Sequence, residues 1–217
     1  MKKLTDLERD KWDLFWRHRK RNLWGILFDY LNVRIVFRDF AGIMRMYTSR
    51  GMVLEAGSGF SESTIFLGKT RGDAVFALDL SIDALKGADD FGRRNGVAVR
   101  TVCADLRGIP FKEKAFDLVF SGGVIEHFED PVEIVREMKR IARTNIAVVP
   151  TDGLVWKLTK RIKKCIGEDK GITELPFQYY NQDYAHEVFR EAGYTRIEVV
   201  KFTTMFFCPY LAIIGWE

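Results

Sequence analysis

The residues around Gly57 and Gly59 offer the clearest chemistry in this sequence of 217 residues. Two glycines at positions i and i+2 let the backbone turn tightly and approach a ligand closely, because no Cβ intervenes. A dinucleotide-binding loop would carry a third glycine at the position of Glu62, and the acid Glu55 fits a pyrophosphate poorly. The stretch therefore argues against a dinucleotide and favours a cationic ligand without phosphates.

Two further acids follow at the ends of predicted strands. Asp79 lies 20 residues after Gly59, where a carboxylate can accept hydrogen bonds from both hydroxyls of a ribose. Asp105 closes the next strand and could accept a hydrogen bond from an exocyclic amine such as that of adenine. Each acid alone is more often a solvated loop end or a helix cap. Three acids and a Gly-x-Gly at the ends of successive strands are harder to explain in that way and indicate one ligand-binding cleft.

The elements that must position these residues follow from the hydrophobic pattern. After Gly51, short apolar runs alternate with helical stretches of about a dozen residues, which is typical of β-α units and a parallel sheet. Asn181 can cap a late helix. We predict an α/β fold, a doubly wound, mostly parallel, seven-stranded sheet of Rossmann-like type with a terminal antiparallel hairpin and N-terminal helices. The predicted strands are 52–56, 74–79, 97–103, 116–120, 145–149, 195–202 and 206–215, with helices over 61–69, 82–94 and 131–142.

Residues 1–50 differ in charge from the rest of the chain. They carry 12 Lys and Arg against 6 Asp and Glu, whereas the other 167 residues carry 22 against 24. From Leu7 to Tyr47, aromatic and aliphatic residues are interleaved with Arg and Lys in a helical pattern, with breaks near Asn32 and 48–51. We therefore predict that a helical N-terminal segment, 1–50, acts as a substrate lid. It would cover a domain spanning 51–217 that has a helical insertion at about 151–178.

Several classes of protein are disfavoured by the composition. The sequence has no run of about 18 uncharged apolar residues, and its N-terminus lacks the apolar core of a secretory signal. Cys103, Cys165 and Cys208 are odd in number and far apart, so they predict neither a disulfide framework nor a pair of metal ligands. We expect a cytoplasmic protein without a metal site.

Four short segments resemble the motifs of class I S-adenosylmethionine-dependent methyltransferases. A later turn, Val124–Pro131, resembles the leu-glu-his turn of their small-molecule and lipid-quinone branch, the methyltransferase type 11-like proteins. The resemblance covers about residues 50–150 by motif, and the final helix and hairpin by layout. The family often has a third glycine where this chain has Ser61, which we expect to cap the following helix. The four segments are Leu54–Gly59, Ala77–Ser81, Ala104–Leu106 and Phe116–Val119.

This resemblance implies S-adenosylmethionine as the cofactor and S-adenosylhomocysteine as the product. It implies that Glu55 and the two glycines line the methionine part, that Asp79 binds the ribose and that Asp105 faces the adenine. The small residues after the fourth strand would flank the sulfonium. The implied cofactor-binding residues are Glu55, Gly57, Ser58, Gly59, Asp79, Leu80, Asp105, Leu106, Ser121, Gly122 and Gly123.

Methyl transfer from a sulfonium is an in-line displacement, which needs a dry, aligned site and a base where the nucleophile must lose a proton. His127 follows the fourth strand and could be that base; alternatively it packs the turn before Pro131, the commoner role for such a histidine. Amino-methylating nucleic-acid enzymes carry an Asp or Asn, then Pro-Pro and an aromatic, where this chain has 121–124. We therefore predict methylation at oxygen or carbon of a small-molecule or lipid-like acceptor.

A basic amphipathic helix is predicted over 154–166, inside the insertion. This helix and the N-terminal segment are compatible with solvated lid helices, with an anionic or amphiphilic acceptor at an anionic membrane surface, and with RNA. A peripheral membrane contact stays open, and nucleic acid is the less favoured partner. The alternative functions are an RNA methyltransferase and a non-catalytic adenosylmethionine-binding partner subunit. The sequence does not indicate the oligomeric state.

Overall fold

The computed structural model describes residues 4–19, 39–151, 177–203 and 209–216. Its strands are β1 Met52–Ala56, β2 Ala74–Asp79, β3 Val99–Cys103, β4 Phe116–Gly122, β5 Ala142–Pro150, β6 Arg196–Thr203 and β7 Pro209–Trp216. They form a seven-stranded sheet in the order β3-β2-β1-β4-β5-β7-β6. Strands β1 to β5 run parallel, and β7 pairs antiparallel with both β5 and β6. The predicted doubly wound sheet and its terminal hairpin are therefore confirmed.

Helices lie on both faces of this sheet. The helix that ends at residue 47 agrees with the break predicted at 48–51. The break predicted near Asn32 and the basic helix predicted over 154–166 lie outside the described residues. The described helices are α1 Leu4–Arg19, α2 39–47, α3 Glu62–Arg71, α4 Ile82–Asn95, α5 Pro131–Ile141 and α6 Gln182–Glu191, with one-turn 3-10 helices at Leu106–Gly108 and Ile125–His127.

Two apolar layers hold the sheet between the helices. On one face, Met138 of α5 and Phe189 of α6 belong to the larger core cluster. On the other face, Phe40 and Met44 of α2 pack into a second cluster. Residues 145–150 of β5 are all buried, as expected for a central strand covered on both faces. Because each large buried side chain stabilises the fold by about 1.5–3 kcal/mol, the strand ends form a firm platform for the loops that follow them.

The helices behind the sheet begin at side-chain caps that the sequence indicates. The Asp130 carboxylate accepts hydrogen bonds from the N–H groups of Val132, at 3.0 Å, and Glu133, at 3.3 Å. Asn181 caps α6 as predicted, since its side-chain oxygen accepts a hydrogen bond from the N–H of Tyr184 at 2.8 Å. These caps fix where α5 and α6 leave the sheet.

Strand β3 begins two residues later than predicted. Gly96 takes up the left-handed conformation at the end of α4, with φ 71°, and the N–H of Val97 donates to the carbonyl oxygen of Gly92. Val97 therefore closes the helix, and pairing with β2 starts at Val99. Strand β5 begins earlier than predicted because α5 passes into it without a loop.

No helix within the described ranges is long and apolar enough to cross a membrane. Cys103 is a free, exposed cysteine, whereas Cys165 and Cys208 lie outside those ranges. In the same part of the chain, no three His, Cys, Asp or Glu side chains are grouped as ligands of a metal ion.

Candidate functional site

The loop between β1 and α3 requires glycine at two positions. Gly57 has φ 68° and Gly59 has φ 51°, both in the left-handed region that disfavours a Cβ. The N–H groups of Gly57 and Ser58 donate to the carbonyl oxygen of Leu78 at 2.8 and 2.9 Å. A Cβ on Gly57 would lie 2.6 Å from a methyl carbon of Val124. The loop is therefore held tightly between the end of β2 and the turn after β4.

Asp79 ends β2 beside this loop and is almost fully buried. Its Oδ2 accepts a hydrogen bond from the N–H of Gly59 and its Oδ1 accepts one from the N–H of Ser81, each at 2.8 Å. Burial raises the pKa of Asp79 to about 6, although these N–H groups act to lower it. The carboxylate is thus fixed at the strand end, where a ribose is expected.

Glu55 lies near the end of β1 and is also buried. Its Oε2 accepts hydrogen bonds from the hydroxyl of Ser61 at 2.9 Å and from the hydroxyl of Thr64 at 2.7 Å. Burial raises the pKa of Glu55 to about 7, and the two hydroxyls partly offset that rise. Glu55, the acid expected beside a cationic group of the ligand, therefore lies next to the start of α3 and is hydrogen-bonded to side chains there.

The prediction that the Ser61 side chain caps α3 is wrong. Ser61 holds the N-cap position, but its side chain makes no capping hydrogen bond, and its backbone is left-handed with φ 58°. The hydroxyl instead donates to the buried Glu55 carboxylate at 2.9 Å, a charge-assisted hydrogen bond.

Asp105 caps the 3-10 helix after β3. Its Oδ1 accepts a hydrogen bond from the N–H of Arg107 at 2.9 Å, and the Arg107 guanidinium reaches Oδ2 at 2.6 Å. Burial alone would raise the pKa of Asp105, but the Arg107 side chain and N–H hold it below its usual range. Leu106 is buried beneath it. Asp105 therefore stays an anion at the third strand end.

The turn after β4 combines an exposed glycine with buried polar groups. Gly123 is exposed, with φ 73°, and its N–H donates to the carbonyl oxygen of Val148 at 2.9 Å. Behind it lies the buried Glu126, whose Oε1 would be 3.7 Å from a Cβ on Gly123. Among the described residues, Ser121 Oγ and Glu126 Oε2 have no hydrogen-bond partner. Burial raises the pKa of Glu126 to about 8, although the N–H groups of Val124 and of Glu126 itself act to lower it.

These four loops meet at one edge of the sheet. Hydrogen bonds join the first loop to the second through Gly59 and Asp79, and the second to the third through the N–H of Ala104 and the Asp79 carbonyl oxygen at 3.1 Å. Gly57 packs against Val124 of the fourth loop. The order of the strands reverses between β1 and β4, the position at which doubly wound sheets bind ligands.

Comparison with known proteins agrees with this placement. Residues 54–148, from β1 into β5, match the family model described as Methyltransferase domain. The matched stretch, 95 of the 217 residues, is similar to a methyltransferase domain. The resemblance to class I methyltransferases predicted from the motifs is thereby confirmed.

The proteins to which the chain is similar differ in how much of their length the match covers. A demethylmenaquinone methyltransferase of Staphylococcus haemolyticus is 24% identical over 204 residues, which cover 81% of this chain and 84% of that protein. A sarcosine/dimethylglycine N-methyltransferase of Halorhodospira halochloris is 26% identical over 168 residues, 68% of this chain and 59% of that protein. A Methanocaldococcus jannaschii protein is 27% identical over 127 residues, 56% of this chain and 52% of that protein. The chain thus spans little more than half the length of two of these relatives.

The fold of the chain recurs in solved structures. Magnesium protoporphyrin IX methyltransferase from Synechocystis PCC 6803, solved with bound S-adenosylhomocysteine, superposes with a TM-score of 0.73 at 15% identity. The superposition covers 98% of this chain and 99% of that chain. At this identity the likeness establishes the shared fold alone.

Helix α1 crosses the loops at this edge of the sheet. The Asp13 carboxylate accepts hydrogen bonds from the Ser81 hydroxyl at 2.5 Å and from the N–H of Asp83 at 3.2 Å. Glu8 accepts one from Arg107 at 2.5 Å. At the glycine loop, the Trp16 ring would lie 2.4 Å from a Cβ on Gly59 and packs on Phe60, with ring centroids 4.7 Å apart. The helix therefore contacts the loops after β1, β2 and β3.

His127 lies among aromatic rings beside the fourth loop. Its ring is half-buried, 5.6 Å from the Trp12 ring of α1 and 5.4 Å from the Phe177 ring, both edge to face. Phe177 in turn contacts Tyr179 at 5.0 Å. Both roles considered for His127, base and packing residue, agree with this environment.

Several contact residues of the site could not be singled out from the sequence. Glu8, Asp13 and Trp16 reach the cleft from a helix that has no motif, and Arg107 is held between two acids. The one available signal was the mixture of aromatic and basic residues in the N-terminal segment. Ser61 departs from the family pattern, but the sequence does not predict its contact with Glu55, the acid of β1.

Proposed function

We propose that this chain is an S-adenosylmethionine-dependent methyltransferase that acts at oxygen or carbon of a small-molecule or lipid-like acceptor. The observation that carries the proposal is the buried Asp79 carboxylate, which joins the glycine loop to the end of β2 at the switch point of the sheet. A carboxylate in that place can accept hydrogen bonds from a ribose, and the tight turn at Gly57 and Gly59 brings the loop backbone to the same strand end. The methyltransferase domain supports the same cofactor, as does the S-adenosylhomocysteine bound by the Synechocystis protein.

Each part of the cofactor is assigned to one loop. Glu55, as an anion, would attract the ammonium of the methionine part, and Asp105 would accept a hydrogen bond from the adenine amine. The exposed Gly123 would leave the methyl carbon open to the acceptor. The cofactor supplies an electrophilic methyl group, and the chain binds, orients and shields the reacting groups. The proposed binding residues are Glu55, Gly57, Ser58, Gly59, Asp79, Leu80, Asp105, Leu106, Ser121, Gly122 and Gly123.

Replacing Asp79 by asparagine is expected to lower the affinity for S-adenosylhomocysteine about 10- to 100-fold. The charge is lost and one acceptor oxygen becomes a donor, and hydrogen bonds to charged groups are worth about 1.5–3 kcal/mol each. Isothermal titration calorimetry at pH 8 measures this, since the carboxyl with its pKa of about 6 is then ionised. Asp89→Asn makes the same charge change at a half-buried position of α4, paired with Arg93, and should leave the affinity unchanged. Equal affinities for the two variants would contradict the role of Asp79.

We propose that the acceptor lies beside the fourth loop, a position supported by the surrounding aromatic rings. Trp12, His127, Phe177 and Tyr179 form a chain of edge-to-face contacts there. Such rings exclude water and offer apolar surface, which favours displacement by a neutral oxygen or carbon nucleophile on an apolar or ring-bearing acceptor. The match to a demethylmenaquinone methyltransferase over most of both chains supports an acceptor of this class.

In this proposal His127 is the base that removes a proton from the nucleophile. His127→Gln keeps the size and polarity of the side chain but cannot take up the proton, so turnover is expected to fall about 100-fold. The affinity for S-adenosylhomocysteine should not change. The matched control is His186→Gln, at an exposed position of α6. A His127→Gln enzyme with wild-type turnover would leave His127 as a packing residue of its turn.

The two basic segments, residues 1–50 and the insertion at about 151–178, would help to bind the acceptor. We propose that residues 1–50 form the lid, supported by the contacts of α1, and that the insertion at about 151–178 completes it around an amphiphilic or anionic acceptor. A cytoplasmic enzyme in peripheral contact with an anionic membrane fits this arrangement. Salt-sensitive binding to anionic liposomes tests it. Binding to transfer RNA with methyl incorporation would favour the RNA alternative, and the absence of S-adenosylhomocysteine formation with every acceptor class would favour a non-catalytic subunit.

A further inference from the structure

Ser61 occupies a backbone conformation that glycine would adopt more easily. Its φ of 58° and ψ of 29° lie in the left-handed region, and 1% of the residue is exposed. Any residue with a Cβ is destabilised there, and serine has no capping hydrogen bond to offset that cost. Strain of this kind persists where the surrounding structure holds the residue in place, which is common at functional sites. The side-chain contacts of Ser61 therefore need an explanation.

Those contacts form a closed arrangement of three buried groups. The Ser61 hydroxyl lies 2.9 Å from Glu55 Oε2 and 2.8 Å from the Thr64 hydroxyl, which lies 2.7 Å from the same carboxylate oxygen. A carboxylate can only accept hydrogen bonds, so both hydroxyls stabilise its charged form. Glycine at position 61 would relieve the backbone and remove one of the two donors.

Among the described residues, few other groups stabilise a negative charge on Glu55, and the backbone N–H of Thr64 is one of them. Its partners across the sheet are Ala77 on β2 and Phe120 on β4, both apolar. Glu62 at the start of α3 is a like charge and acts in the same direction as burial, raising the pKa of Glu55. The hydroxyls of Ser61 and Thr64 are the side chains that oppose these effects.

We infer that Ser61 is a positioning residue for the cofactor, whose hydroxyl keeps the Glu55 carboxylate charged and oriented for the ammonium of the methionine part. The inference rests on the proposed function. It explains why a strained serine stands in a loop otherwise turned by glycines, because the hydroxyl stabilises a charge that burial disfavours. Ser61 itself need not touch the cofactor.

The direction of the pH effect follows from the chemistry of Glu55. A cationic ligand binds the ionised carboxylate better, so the affinity for S-adenosylhomocysteine should fall as the pH drops through the pKa of Glu55, about 7. Removing the Ser61 hydroxyl removes a donor to the charged form, which raises that pKa and moves the fall in affinity to higher pH. Asp79 also titrates near this range, with a pKa of about 6. Because every variant retains Asp79, its titration does not account for a difference between them.

The decisive comparison is Ser61→Gly against the wild type, titrated with S-adenosylhomocysteine from pH 6 to pH 9. We expect Ser61→Gly to bind about 5- to 10-fold more weakly at pH 7 and nearly as well as the wild type at pH 9. Its melting temperature should be equal or higher, since strain is relieved. Glu55→Gln, which cannot titrate, should abolish the difference between pH 7 and pH 9 that Glu55 causes. Superimposed wild-type and Ser61→Gly profiles, or a loss of affinity that is the same at every pH, would overturn the inference.

A second measurement needs no ligand. In urea unfolding of the free protein, the stability gained by Ser61→Gly should be larger at pH 5, where Glu55 is protonated, than at pH 9, where the lost hydroxyl leaves its charge less stabilised. Ser61→Ala keeps the strain and loses the hydroxyl, so it should be less stable than Ser61→Gly at both pH values. A gain that does not change with pH would refute the coupling between Ser61 and Glu55. If the coupling is seen but the wild type does not bind S-adenosylhomocysteine, the proposed function fails and the role toward the cofactor fails with it.

Discussion

Replacing Gly57 by alanine is expected to lower the free energy of unfolding by about 2–5 kcal/mol and to abolish measurable binding of S-adenosylhomocysteine. Two costs add at this position. The φ of 68° is left-handed, which costs a residue with a Cβ about 1–2 kcal/mol. The new Cβ would also lie 2.6 and 2.7 Å from the two methyl carbons of Val124, and overpacking of this kind costs about 1–3 kcal/mol. Urea unfolding and calorimetric titration measure the two outcomes.

Two other glycines separate the contributions. Gly96 has the same left-handed conformation, with φ 71°, but no atom within 4 Å of its added Cβ, so Gly96→Ala reports the strain alone. Gly108 has neither a positive φ nor a close neighbour, and Gly108→Ala should change stability little. Adding Val124→Ala to Gly57→Ala should recover part of the loss, because the methyl groups that clash are gone. If Gly57→Ala costs no more than Gly96→Ala, the contact with Val124 is not tight.

The glycine loop and the strand-end acids could be predicted because their information is local. A glycine pair after an apolar run requires a tight turn whatever surrounds it, and Gly57 and Gly59 both have positive φ. Asp79 and Asp105 follow apolar runs of strand length, so a parallel sheet places them at one edge. The fold class, a doubly wound sheet, could be predicted because alternating β-α units allow few other strand arrangements.

The contacts that the sequence did not reveal depend on the tertiary structure. The Ser61 hydroxyl bonds to a carboxylate six residues earlier, and a serine before a helix gives no sign that its side chain will bond there rather than cap. Trp16 and Asp13 meet Gly59 and Ser81 across more than 40 residues of sequence, and nothing in a helical pattern specifies which loops a helix crosses. Which residues of an amphipathic segment reach a site is therefore decided by packing.

The burial of Glu126 is a further tertiary effect, and it leads to a large expected change in stability. In urea unfolding at pH 9, Glu126→Gln should be more stable than the wild type by about 3–4 kcal/mol, whereas at pH 5 the two should be similar. Burial raises the pKa of Glu126 to about 8, well above that of an exposed glutamate. The glutamine amide is neutral at both pH values and resembles the protonated carboxyl in shape.

The direction in which stability changes with pH follows from proton binding to Glu126. Between the pKa of the unfolded chain, about 4.3, and the folded value of about 8, the folded protein holds a proton on Glu126 that the unfolded chain has lost. Stability of the wild type therefore falls as the pH rises through this window and levels off above it. Glu126→Gln has no such loss, so the difference between the two proteins grows with pH.

Glu129→Gln provides the matched control, because Glu129 is exposed three residues away and the same chemical change there should have little effect at either pH. Behind Gly123, the Oε2 atom of Glu126 has no hydrogen-bond partner among the described residues. The contrast between the two variants then measures how much stability is lost by keeping an ionisable group there. A chain shaped by stability alone would gain from glutamine at this position, so the carboxyl is retained against a stability cost at the loop assigned to the sulfonium. A stability difference that stays constant from pH 5 to pH 9 would instead show that the Glu126 carboxyl is solvated or paired in solution.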